Sequence, residues 1–177
     1  MKPPEFLESP RLILRRPVLE DAGAIFEQYA RDTDVTRYLV WRPHRYVDET
    51  REFLRRCNTA WRDGSAFPWA IVRKKESMLM GMIEARIDGH SVNLGFVLAK
   101  SYWGNGYTSE AVRSVIGWAT GQIGLFRVWA VCDIENLSSA RAMEKAGMEC
   151  EGILRRWIML PNRSDAPRDC YCYAKVW

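Results

Sequence analysis

Asn93 to Gly124 reads NLGFVLAKSYWGNGYTSEAVRSVIGWATGQIG: a buried strand, a glycine turn and an amphipathic helix in immediate succession. Gly104 and Gly106 lack Cβ, so the backbone there can turn sharply and come close to a ligand. A helix from about Tyr107 would present unpaired N–H groups and a positive dipole end to an anion. The pattern suits a ligand carrying a diphosphate. A P-loop would need Lys-Ser/Thr after the second glycine, where Tyr107-Thr108 stands, and a dinucleotide fingerprint would need a third glycine or alanine three residues later, where Ser109 stands, so both motifs fail. A lone GxG also fits a plain strand-to-helix turn, so its neighbours must decide. The helix places Ala111, Val112, Val115, Ile116, Ala119 and Ile123 on one side, which predicts that it covers a sheet.

Upstream, RLILRRP predicts a first strand. A helix follows from about Glu20, with Ala22, Ile25, Phe26 and Tyr29 at helical spacing. Residues 34–47 read as an irregular or short helical connector. Asp48 then serves as a candidate N-cap for a helix that ends at Gly64 and buries Phe53, Leu54, Cys57 and Trp61. FPWAIVRK, SMLMGMIEARID and SVNLGFVLA predict an antiparallel meander, divided by KKES and Asp88-Gly89. Helices interleaved with a mostly antiparallel sheet give an α+β fold.

With 177 residues, 47% of them hydrophobic, the chain can bury one good core, so one domain spanning 1–177 is expected. A net charge of +4 without a Lys/Arg tract does not imply nucleic acid, and suits a polyanionic cofactor or an acidic partner. No stretch approaches the ~18 apolar residues of a membrane helix, and MKPPEFLESP lacks an apolar leader, so a cytoplasmic protein is expected. The five cysteines lack CxxC spacing; Cys170 and Cys172 would share one strand face, and a metal site would need more ligands than this pair and two scattered histidines readily supply. They read as reduced core thiols, and no metal is expected.

Beyond the first unit comes a second: FRVWAVCDIEN, a strand, then LSSARAMEKAGMECEG, a short helix stopped at Gly147. The order strand, xxGxGY turn, long helix, strand, Asn-x-x-Ser-x-x-x-x-Glu-Lys-x-Gly resembles the GNAT superfamily of acyl-CoA-dependent N-acetyltransferases. Within it, SPRLILRRPVLEDAGAIFEQY, YWGNGYTSEAV, ENLSSARAMEKAGM and RDCYCYAKV are similar to the Rim-type ribosomal-protein N-terminal acetyltransferases, over nearly the whole chain. The resemblance implies a central, mostly antiparallel mixed sheet splayed in the middle and flanked by helices, with the pantetheine arm of acetyl-CoA lying in the splay.

Carried onto this chain, the resemblance implies that Phe96, Val97 and Leu98 offer backbone groups to pantetheine. Trp103, Gly104, Asn105, Gly106, Tyr107 and Thr108 would hold the pyrophosphate, and Asn136 would meet the pantetheine arm while capping the next helix. The family's Arg or Gln three residues before the first glycine is replaced by Ser101; Lys100, Arg141 and Lys145 are candidate substitutes.

Acetyl transfer to an amine needs a deprotonated nucleophile, a stabilised oxyanion and a proton for the leaving thiolate. No covalent enzyme intermediate is needed, and neither His44 nor His90 forms a dyad with a cysteine. A backbone N–H near Val97 or Leu98 is the expected oxyanion donor. The tyrosine that many family members use for the thiolate is Met143 here, whereas Ser139 matches a serine proposed for that role in the Rim-type enzymes; its alternative role is a first-turn serine bonding its own backbone. The glutamates expected as general base are replaced by Asn93 and Ile158, leaving Glu84 and Asp133 as candidates, with Glu135 and Asp169 behind them.

The weak base bears on the acceptor. Deprotonating a lysine amine of pKa ~10.4 at pH 7 costs roughly 4.6 kcal/mol, an α-amine near 7.8 only about 1.1. A protein or peptide N-terminus therefore fits better than a lysine side chain. Acceptor choice is expected in the connector from Thr33 to Val47 and around Arg155, Arg156, Trp157 and Arg163. The expected enzyme, a monomer or homodimer, binds acetyl-CoA and an amine acceptor. The alternatives are a catalytically silent acyl-CoA-binding module and a small-molecule amine acetyltransferase, the latter predicting an acidic acceptor cleft.

Overall fold

The computed structural model describes residues 1–177. Eight strands form one sheet: β1 (Phe6–Glu8), β2 (Leu12–Arg15), β3 (Phe67–Arg73), β4 (Met78–Asp88), β5 (Ser91–Leu98), β6 (Arg127–Asp133), β7 (Glu149–Ile158) and β8 (Arg168–Val176). Their order is β1-β2-β3-β4-β5-β6-β8-β7. Every pairing is antiparallel except β5 with β6, whose parallel register covers only Ser91, Asn93 and the residue between them, against Arg127 to Trp129. Parallel neighbours need a long crossover, and the amphipathic segment of the quoted stretch supplies it.

That crossover is one of five helices: α1 (Ala22–Ile25), α2 (Thr33–Thr36), α3 (Val47–Asp63), α4 (Tyr107–Thr120) and α5 (Leu137–Lys145). α1 is entered by a 3-10 turn, Leu19–Asp21, and left by a π turn, Phe26–Ala30. The helices cover both sides of the sheet. On one side α4 packs Ala111, Val112, Val115 and Ala119, and α5 packs Met143, against Leu12, Trp69, Ile83, Val92 and Val128. On the other, Ala22 and Ile25 of α1 with Leu54 and Cys57 of α3 meet Ala70, Val72, Leu79 and Met82. β3 is covered on both faces, which is why FPWAIV is an unbroken apolar run without alternation.

Trp61 ends the buried stripe of α3 with no solvent exposure. Its ring meets Phe67 and Trp69 edge-on at centroid distances of 5.1 and 5.5 Å, and its Nε1–H donates to the Pro68 carbonyl at 2.6 Å. Edge-to-face packing and a satisfied indole donor let a large side chain be buried completely.

Three expectations are corrected. β1 precedes the first predicted strand; it is only three residues long, so no alternation marks it in the sequence. α3 starts at Val47 with Tyr46 as N-cap, so Asp48 lies in the first turn, where its carboxylate pairs with Arg51 at 2.6 Å beside the positive helix end. α4 stops at Thr120, which leaves Ile123 in the following turn and 98% exposed rather than on the buried face.

Replacing Trp61 by alanine should cost about 3–5 kcal/mol, the range for large aromatic truncations in a packed core. Urea unfolding would show it as a lower midpoint with an unchanged slope.

Candidate functional site

After Asn93 the two central strands part. β5 continues with β4 as far as Gly81 opposite Leu98, while β6 continues with β8 as far as Asp133 opposite Cys170. From Leu94 onward the β6-facing edge of β5 has no strand partner. A cleft of about 510 Å³ occupies the divergence, within the usual range for small-molecule sites.

Five segments line it, the glycine turn and the start of α4 forming one continuous side. Phe96, Val97 and Leu98 come from β5; Trp103, Gly104 and Gly106 from the turn; Tyr107, Thr108 and Ser109 from the start of α4. Asn136, Ser138, Ser139, Arg141 and Lys145 come from the head and flank of α5, and the segment from Asp34 to Leu39 closes the fourth side. Of the residues expected to hold a cofactor, Asn105 alone does not line the cleft. Its side-chain amide donates to the carbonyls of Tyr102 at 3.3 Å and Trp103 at 2.9 Å, so it braces the turn from within. The Leu98 carbonyl is also occupied, by the Trp103 indole N–H at 2.7 Å, and Val97 faces its ladder partner Met82 on β4, which leaves Phe96 as the freer backbone of that wall.

Gly104 and Gly106 have φ of 78° and 76°, a conformation that costs an L-residue about 1–2 kcal/mol. Gly106 is the N-cap of α4 and supplies no side-chain acceptor, so the first-turn N–H groups remain available at the cleft. Four cations, Arg37, Lys100, Arg141 and Lys145, line the cleft against one carboxylate, Asp34. Lys100 is tied to Asp34 at 2.5 Å, whereas no carboxylate pairs with Arg141 or Lys145. The helix end and these two cations favour an anionic ligand.

At the other side of the splay, Asn136 caps α5: its Oδ1 accepts from the Ser139 N–H at 3.3 Å and the Ser138 hydroxyl at 2.9 Å. Ser139 lines the cleft, and its hydroxyl donates to no backbone carbonyl, unlike a serine that bonds its own helix. Met143, at the place of the family's tyrosine, is fully buried.

The carboxylates separate. Asp133 carries no exposed side-chain surface; Arg168 grips it through Nε at 2.5 Å and Nη2 at 3.0 Å, and it accepts the Glu135 N–H at 2.9 Å. Burial alone would raise its carboxyl pKa, but these donors outweigh burial and hold it below the ordinary value. Asp133 does not line the cleft, and its expected role as a base gives way to one as a structural anchor between β6 and β8. Glu135 pairs with Arg163 and Arg168, and Asp169 accepts the Arg156 N–H at 2.7 Å.

Glu84 differs. Its pKa is raised by burial, which the ion pair with Arg86 only partly offsets. It stands directly opposite Gly95 on β5, as Met82 stands opposite Val97, so Glu84 shares a sheet face with the Val97 wall. No side chain fills the space over Gly95. Glu84 is outside the cleft lining.

The connector is held from the far end of the sheet. Asn162 donates to the Thr36 and Trp41 carbonyls at 2.8 and 2.7 Å, and the Arg163 guanidinium lies 5.3 Å from the Tyr38 ring centroid. Opposite Asp169, β7 bulges through Arg155, Arg156 and Trp157, with Arg156 at φ 48°. Asn162 was missed in the sequence because its partners lie over 120 residues away.

The thiols agree with chemistry that uses no cysteine nucleophile. Burial pushes Cys57 and Cys132 up to about 12 and Cys170 up to about 11. His44, half-buried with Nδ1 at 2.8 Å from the Thr50 hydroxyl, has its pKa lowered by burial. No cluster of three metal-ligating side chains is present.

Residues 11–149 match the family model described as "Acetyltransferase (GNAT) domain". The uncharacterized N-acetyltransferase YoaA of Bacillus subtilis is 29% identical over 173 residues, 96% of each chain. A GNAT-family acetyltransferase from Bacillus anthracis superposes with a TM-score of 0.84 at 28% identity, covering 97% of this chain and 98% of that one. RimL, a ribosomal L7/L12 alpha-N-protein acetyltransferase solved with coenzyme A, gives a TM-score of 0.85 at 18% identity over 97% and 98% of the two chains, a likeness in fold. The chain belongs to the GNAT acetyltransferase family.

In the folded protein, Ellman's reagent at pH 8 should titrate Cys150 rapidly, because it is the one exposed thiol, and should reach the other four only after denaturation. Rapid reaction of a second thiol in the native state would contradict this placement.

Proposed function

We propose that this member of the GNAT family transfers the acetyl group of acetyl-CoA to a primary amine by direct attack in a ternary complex. One observation carries the reading: the unpartnered edge of β5, the uncapped start of α4 and the Ser139 hydroxyl border the same cleft. A diphosphate would lie against the N–H groups of the Gly104–Ser109 segment, with Arg141 and Lys145 offering the positive charge that Ser101 cannot. The pantetheine arm would follow Phe96 and Val97 and meet Asn136.

In the reaction, the amine nitrogen attacks the thioester carbon and the carbonyl oxygen gains negative charge beside the β5 backbone, where the Leu98 N–H, which the β4 ladder does not use, stabilises it. The C–S bond then breaks; the Ser139 hydroxyl donates a hydrogen bond to the leaving thiolate and relays to it a proton taken from solvent water, so that coenzyme A leaves as the thiol and Ser139 ends as a hydroxyl. The amine loses its proton through water to Glu84, whose raised pKa suits it to accept one near neutral pH better than Asp133. Asp133 instead holds Arg168, and with it the head of α5.

A protein or peptide α-amine is the acceptor we favour. It tolerates an indirect base, as its low deprotonation cost requires, and the alpha-N-protein activity named for RimL is of that kind. The cationic residues around the cleft and on the β7 bulge do not make the acidic cleft that a polyamine or aminoglycoside would need. The chain has no helix long and apolar enough to cross a membrane; a cytoplasmic, single-domain enzyme is the reading we adopt.

Ser139→Ala should lower turnover by about 10²-fold or more while leaving acetyl-CoA affinity within a factor of a few. Steady-state kinetics with N-terminal peptides, paired with calorimetry, measures both. An undiminished rate would make Ser139 a structural serine.

A further inference from the structure

Arg11, in the turn between β1 and β2, joins α4 from 99 residues away. Glu110, in the first turn of α4, is only 7% exposed and accepts three hydrogen bonds: from the Ser9 hydroxyl at 2.7 Å, the Arg11 N–H at 2.8 Å and Arg11 Nε at 2.6 Å. The rest of the guanidinium lies along the glycine turn. Nη1 donates to the Asn105 carbonyl at 3.1 Å, the group stacks 4.4 Å from the Tyr107 ring centroid, and Nη2 lies 3.7 Å from where a Cβ on Gly106 would be.

Two physical consequences follow. A trans peptide is planar, with its C=O and the next N–H pointing in opposite directions. Fixing the Asn105 carbonyl on Arg11, which is outside the cleft, therefore turns the Gly106 N–H to the opposite side, and Gly106 lines the cleft. Second, a buried carboxylate one turn from a helix N-terminus repels any anion placed there. The Arg11 cation offsets that charge, and burial, which alone would raise the Glu110 carboxyl, is outweighed by the bonds from Ser9 and Arg11.

We infer that Arg11 is a positioning residue for the diphosphate: it aims the N–H groups of the glycine turn and neutralises Glu110 without itself entering the cleft. The inference rests on the acetyl-CoA reading above. It also accounts for a turn that works with Ser101 where the family has Arg or Gln, since Arg11 supplies order from outside.

The test is to titrate acetyl-CoA and S-acetylpantetheine, which lacks the diphosphate, into the wild type and Arg11→Met. Acetyl-CoA affinity should fall about tenfold or more, the scale of one charged hydrogen bond, while S-acetylpantetheine affinity stays unchanged. Equal acetyl-CoA affinity in the two proteins, or a parallel loss of both ligands, would overturn the inference. Adding Glu110→Gln to Arg11→Met should recover part of the acetyl-CoA affinity, and no recovery would remove the neutralising role. If Arg11→Met does not fold, Arg11→Lys keeps the charge but loses the fork over Asn105 and Tyr107; it should bind acetyl-CoA several-fold more weakly, and wild-type affinity would again overturn the inference. A wild type that binds neither ligand would instead refute the acetyl-CoA reading itself.

Discussion

Three residue pairs join β5 to β6, and the rest of the molecule depends on that brevity. Had the parallel register continued beyond Asn93, the backbone from Leu94 to Leu98 would be spent on a ladder and the sheet would close. Because it stops, the two halves of the sheet diverge while each remains paired on its far side, β5 with β4 and β6 with β8. The cost of leaving a strand edge unpaired is borne only where the edge borders an open cleft, since a buried unpaired backbone group would be expensive. The helices keep the divergence fixed: α4 crosses from one half to the other, and its apolar stripe packs against both.

Charge is placed to match. Ion pairs occupy the carboxylates that would compete with an anionic ligand: Glu110 with Arg11, Asp34 with Lys100, and Asp133 and Glu135 with Arg168. The exposed pairs contribute little to stability. The Asp133 and Glu110 carboxylates are mostly buried and multiply bonded, so losing their arginines would leave buried charge unpaired, which is far more damaging than the pairs are stabilising. Their value is geometric: one orders the turn before α4 and the other the head of α5, the two sides of the cleft.

The sequence is most legible where one element carries its own signal. The strand, glycine turn and helix of the quoted stretch are found in order, and the fold expected from the resemblance is the one observed, because local periodicity and glycine spacing are properties of neighbouring residues. Illegible were features set by distant partners. Nothing near Asp133 announces that Arg168 will take both its oxygens, and nothing near Arg11 announces Glu110. Ile123 fits the helical period yet lies outside, because the helix ends at Thr120, with Gly121 as its C-cap. Glu84 and Asp133 look alike as acidic residues in apolar strands; their environments, an open space over Gly95 against the two-nitrogen grip of Arg168, separate them.

The central claim is that the parted strands and the uncapped α4 terminus hold the diphosphate of acetyl-CoA. Its most direct test is a calorimetric titration of acetyl-CoA into the wild type and into Gly106→Val, with circular dichroism to show that both are folded. A β-branched side chain is poorly tolerated at φ 76°, so the turn should lose its aim while the core stays intact. Micromolar binding by the wild type, abolished in the folded variant, is the predicted result; equal binding by both proteins would contradict the account.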